Sequence, residues 1–66
     1  MTLEEQISDQ ERLIYNAMEE KRSQSIVYRM MEIYEDLYGE LKRPNCKQEN
    51  SYIHLYWKYI AYMERN

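Results

Sequence analysis

Cys46 and His54 are the two side chains in this 66-residue sequence whose types suit a nucleophile or a general base near neutral pH. A thiol–imidazole pair works only when a third group orients the base and donors stand where an oxyanion develops. Cys46 follows Pro44-Asn45 in an expected loop, and His54 falls on a helical stripe with Lys58 and Arg65. That placement predicts no catalytic residue. One Cys and one His eight positions apart match no zinc-ligand spacing, so no metal site is expected. The carboxylate pairs Glu4/Glu5, Glu19/Glu20 and Glu35/Asp36 are sequence neighbours. On a helix, neighbours point about 100° apart, which makes them solvated faces and not acid–base dyads. A phosphate-cradling loop needs several glycines, and this chain has one. The sequence therefore predicts a protein that is not an enzyme and holds no cofactor.

The remaining chemistry is that of binding surfaces. The chain has eight Tyr, one Trp and no Phe. Tyr and Trp bury a large ring while keeping a polar tip, which is why they are enriched where two proteins meet. In the segment from Tyr52 to Met63, apolar and aromatic residues cover roughly 220° of a helix, more than one neighbour needs. Tyr52, Tyr56, Trp57, Tyr59, Ile60, Tyr62 and Met63 are the expected interface residues there, joined by Met30, Tyr34 and Tyr38 from the preceding segment. The thioethers of Met30 and Met31 suit an adaptable binding groove, but ordinary core filler is the favoured reading of the pair. The rest of the third segment is a narrow, mostly basic stripe of His54, Lys58, Ala61 and Arg65. With Lys42, Arg43 and Lys47 it makes an alternative surface for nucleic acid, with aromatic rings interleaved. The sequence pI near 5.1 weighs against that alternative, because phosphate binding is dominated by positive charge.

These surfaces must be positioned by helices. One Gly and one Pro leave little turn chemistry for a β-sheet. Thr2-Leu3-Glu4-Glu5 reads as a capping box, and Leu3, Ile7, Ile14, Ala17 and Met18 follow on one stripe. Acidic residues early and Lys21-Arg22 late complement a helix over about 2–22. Either serine of Ser23-Gln24-Ser25 can cap a second helix over about 25–42, but no Gly or Pro enforces a break, so one long helix is also open. The second segment carries two adjacent seams with alternating steps of four and three. One is Ile26, Met30, Ile33 and Leu37; beside it run Val27, Met31, Tyr34, Tyr38 and Leu41. Gly39 as a left-handed cap, or Pro44 after Lys42, ends this helix. The third begins at Cys46 after Asn45, or later near Ser51, and runs to about residue 65.

The expected fold is all-α: one domain over 1–66, a small helical hairpin or three-helix bundle. A chain this short buries only about 60% of the surface its unfolded form exposes. With no disulfide or metal to compensate, self-association or docking on a larger protein is the remaining route. Apolar runs are interrupted by charge, so no membrane span is expected, and the lone cysteine and missing signal peptide predict a cytoplasmic chain. Residues 1–41 carry ten acidic and four basic side chains, net −6; residues 42–66 carry two acidic and five basic, net +3, together the chain's −3. Complementary halves steer head-to-tail association or pair within one domain. The chain length and the stretch from Gln10 to Arg22 resemble the small helical aspartyl-phosphate phosphatases. Those depend on a Ser-Gln-Glu-Leu-Asp run in their second helix. Here the corresponding region reads Met31-Glu32-Ile33-Tyr34-Glu35-Asp36-Leu37, so the resemblance carries no function across and leaves a phosphatase-like accessory as a remote alternative. The expected role is a small regulatory or inhibitory protein–protein interaction module.

Overall fold

The structure is a computed structural model and describes residues 1–65. It is an all-α bundle of three helices: α1 Leu3–Glu19, α2 Gln24–Gly39 and α3 Cys46–Arg65. Only residues 20–23 separate α1 from α2, and the two helices meet middle to middle, where the Gln10 side-chain amide donates to the Met30 carbonyl and the Tyr34 hydroxyl to Glu11, so α2 folds back antiparallel to α1. Tyr52 meets Glu35, and Gln24 meets the carbonyl of Met63, which sets α3 antiparallel to α2 and parallel to α1.

Each helix begins where its cap chemistry places it. Thr2 accepts from the Glu5 amide while the Glu5 carboxylate accepts from the Thr2 amide, a reciprocal capping box. Those bonds hold the Glu5 carboxyl below its ordinary pKa. Ser23 caps α2 by accepting from Ile26. At α3 the earlier of the two expected starts is taken. The Asn45 side chain accepts from the Gln48 amide at 2.8 Å, and the Gln48 side chain accepts from the Asn45 amide at 2.9 Å. Cys46, expected in a loop, is therefore the first residue of a helix and is exposed.

The helix ends differ from expectation. α1 stops at Glu19, not Arg22, and one continuous helix does not form. The Arg22 amide donates to the Ala17 carbonyl and the Lys21 amide to that of Met18, the paired bonds of a Schellman turn. That turn needs a left-handed residue, and Lys21 takes the position with φ of 59°. No residue in the sequence at this point announces it, because the place is normally glycine's. Gly39 is the last residue of α2 and has no positive φ, so it is not the left-handed cap expected of it.

The core consists of Ile7, Ile14 and Ala17 from α1, Val27, Met31 and Tyr34 from α2, and Leu55 from α3. The stripe read on the first segment is the buried face of α1, with Leu3 and Met18 packed at its edges. Of the two seams on α2, the one through Val27, Met31 and Tyr34 turns inward. The other, through Ile26, Met30, Ile33 and Leu37, faces outward or lies at the core edge.

Candidate protein-docking surface

α3 joins the bundle through its tyrosines more than through close backbone approach, which α1 and α2 achieve with each other. Taking about 100° per residue, Leu55 marks the inward face, and Tyr52, Tyr59 and Met63 lie on its α2 side. Tyr52 packs on Tyr38 with ring centroids 4.5 Å apart and stacks on Tyr34 at 5.8 Å. Its hydroxyl donates to Glu35 at 3.0 Å. Burial, followed by that bond, pushes the Tyr52 phenol up to about 12. Burial likewise raises Tyr38 and Tyr59, each with nearby carboxylates adding to it. Tyr62 is half-buried, and its hydroxyl donates to the carbonyl of Arg22.

The expected interface residues accordingly divide. Tyr34 lies wholly within the core, its hydroxyl 2.7 Å from Glu11, with burial and that bond raising its pKa. Tyr38, Tyr52, Tyr59, Tyr62 and Met63 are half-buried between α3 and the other two helices, and Met30 and Ile60 are half-buried as well. Trp57 stands apart, with 66% of its surface exposed. Ile53, at 52%, lies one turn before it, and Tyr56, at 39%, stacks beside the ridge on Tyr52. Together with Ile60 these four form the outward apolar ridge of α3.

The basic residues expected as an alternative site also divide. His54, Lys58 and Arg65 lie along one side of this ridge, with Lys47 on the same stripe nearer the start of α3. Lys42 and Arg43 are exposed in the turn before α3. His54, Lys58 and Arg65 form one wall of an open cleft of about 660 Å³, with Ala61 between them and Tyr15, Met18 and Glu19 on the α1 side. The His54 ring is 6.4 Å from that of Tyr15. Lys47 shares a smaller cleft with Glu4 and Glu11. Both basic walls thus face carboxylates of α1.

Leu13, Ile26, Tyr28 and Ile33 are exposed hydrophobic residues that the sequence reading did not place among interface residues. A signal was present for Ile26 and Ile33, since the two α2 seams together were wider than one neighbour could cover; Leu13 and Tyr28 lay outside both seams. Among the described residues, no group of three or more His, Cys, Asp or Glu side chains stands together as metal ligands, and no helix is long and apolar enough to cross a membrane. Comparison with protein-family models, curated proteins and solved structures gives no match to this chain.

Proposed function

We propose that this protein is a small, non-enzymatic regulatory or inhibitory module that docks on another protein chain through the outer face of α3. The observation that carries this reading is Trp57, two-thirds exposed at the centre of a ridge with Ile53, Tyr56 and Ile60. An exposed tryptophan flanked by apolar residues has the composition of an interface anchor: large, rigid, and able to donate from its indole at a wet rim. The tyrosine stacks beneath it hold the helix in place, so the ridge is presented pre-organised. The exposed thiol of Cys46 suits a reducing, cytoplasmic setting. No observation favours nucleic acid over protein, since Glu19, Glu4 and Glu11 share the clefts of the basic side chains.

Capture from native cell extract, read by mass spectrometry, tests this. Trp57→Ala should weaken capture of a protein partner by about thirtyfold or more, the usual effect of losing 2–4 kcal/mol at a buried interface aromatic. Paired Lys58→Gln and Arg65→Gln should change it little, as exposed charges contribute roughly 0–1 kcal/mol each. Nucleic acid recovered in place of protein, lost with the charges and with added salt but not with Trp57, would overturn the reading.

A further inference from the structure

Tyrosines of α2 and α3 form a connected series of ring contacts. Tyr38 and Tyr52 have centroids 4.5 Å apart, the shortest ring separation among the described residues, with planes tilted by 30°. Tyr34 stacks on Tyr52 at 5.8 Å, Tyr56 stacks on it at 6.0 Å, and Tyr59 lies 6.4 Å from Tyr56. Tyr52 thus stands at the branch point, and its hydroxyl donates to Glu35 at 3.0 Å.

A phenol gives up an electron most readily when a base takes its proton in the same step, because no cation radical then has to form. Glu35 is that base for Tyr52, and being exposed it passes the proton on to water. Burial holds the Tyr52 proton in place up to about 12, so at neutral pH oxidation proceeds through this transfer and not through a phenolate. Tyr56, 39% exposed and stacked on Tyr52, offers an oxidant a contact at the surface. An electron lost from Tyr56 is drawn from Tyr52, whose proton has Glu35 to receive it.

Tyr38 is the ring placed to couple. It lies half-buried in the last turn of α2, without the hydroxyl bonds that hold Tyr34, Tyr52 and Tyr62. Its ring can therefore swing an edge to that of Tyr52. Tyr34 is fully buried and bonded to Glu11, which fixes it. Tyr34 and Tyr56 also stack on Tyr52 with planes only 17° and 8° apart, an arrangement that keeps ring edges away from each other.

We infer that Tyr38 and Tyr52 form an oxidative modification site, at which a one-electron oxidant joins the two rings as dityrosine within one chain. Each phenol loses an electron to the oxidant and its hydroxyl proton, that of Tyr52 to Glu35 and that of Tyr38 to water. The two phenoxyl radicals pair their ring electrons in one carbon–carbon bond between ortho carbons. The hydrogens on those carbons then move to the oxygens and restore both phenols, so two equivalents of oxidant are reduced and two protons are released. The oxidant is a diffusible or docked one-electron acceptor, such as a haem peroxidase intermediate or a photo-oxidised metal complex. The product ties the last turn of α2 to the second turn of α3, and such a tie stabilises a fold by restricting the unfolded chain.

Brief illumination of dilute protein with tris(bipyridine)ruthenium(II) and persulfate tests this, read by dityrosine fluorescence and mass spectrometry. The expected product has the single-chain mass less two hydrogens, links tryptic peptides 30–42 and 48–58, and melts at a higher temperature. Tyr38→Phe and Tyr52→Phe should each abolish it, whereas Tyr34→Phe should retain it. Glu35→Gln, whose amide accepts the Tyr52 hydrogen bond without taking the proton, should lower the yield severalfold. Tyr28→Phe should have no effect although Tyr28 is the most exposed tyrosine at 52%, and urea should abolish the product. Fragmentation of the linked wild-type peptides identifies the joined rings even if a variant loses helicity by circular dichroism. A link through Tyr34 or Tyr56, a product dominated by two-chain species through Tyr28, or an equal yield in urea would overturn the inference.

Discussion

Tyr34 shows how one hydroxyl decides the setting of a whole ring. Its side chain is fully buried between α1 and α2, an environment that suits Phe equally well for its apolar part. The hydroxyl is accommodated because Glu11, half-buried on α1, accepts from it at 2.7 Å. A bond to a charged acceptor contributes more than a neutral one, and Glu11 is near enough to solvent to rehydrate when the donor is lost. Tyr34→Phe is therefore expected to destabilise the fold by about 1–2 kcal/mol, a fall in thermal midpoint of several degrees for a chain this size. Tyr52→Phe removes a more exposed hydroxyl from Glu35 and should lower the midpoint by less. Calorimetry on the two variants checks the order, and an equal or reversed effect would show that Glu11 contributes nothing specific.

The turn between α1 and α2 is the element with the clearest unrelieved strain. Lys21 holds the left-handed position of the Schellman turn, where a Cβ atom crowds the following carbonyl at a cost of roughly 1–2 kcal/mol. Its side chain is exposed, and no hydrogen bond or ion pair of its side chain among the described residues offsets that cost. Lys21→Gly should accordingly raise stability by about 1 kcal/mol, less the extra backbone freedom glycine gives the unfolded chain. A rise of several degrees in the thermal midpoint with unchanged helicity is the expected result. A fall would mean that the turn is held by something other than the two amide bonds from Lys21 and Arg22.

Across the molecule, tyrosines tie α3 to the rest, and this makes the bundle sensitive to alkali. Burial raises the phenols of Tyr15, Tyr34, Tyr38, Tyr52 and Tyr59 above the ordinary value of 10.0, with Tyr52 reaching about 12. A folded pKa above the unfolded one means the unfolded chain releases its protons first. The corresponding stability is complete below pH 10 and is lost as pH rises toward 12 and beyond. Tyrosinate absorbance of the native protein should lag that of the urea-unfolded chain above pH 10, then rise steeply together with loss of helical circular dichroism. Coincident titration curves for the two states would remove the tyrosines from the list of groups that hold α3 in place.

Helix boundaries set by local chemistry were readable from the residues alone. Thr2 with Glu5 and Asn45 with Gln48 satisfy amides three positions away, and the α1 stripe follows from the helical repeat whatever it packs on. The break after Glu19 was not readable in the same way. It rests on a lysine in a conformation that the sequence disfavours, held by the amide bonds of Lys21 and Arg22 to the end of α1 and by the Tyr62 hydroxyl of α3, which donates to the Arg22 carbonyl. Nor could composition tell which α2 seam would be buried. The seams are adjacent and both apolar, so either satisfies the periodicity. Tertiary packing separates them: the seam holding Tyr34 finds Glu11 for its hydroxyl and Tyr52 for its ring, leaving Ile26 and Ile33 outside. The aromatic arc of α3 divides on the same ground. A tyrosine's type makes it fit for burial or for an interface, and only the neighbours brought to it by the fold decide between the two.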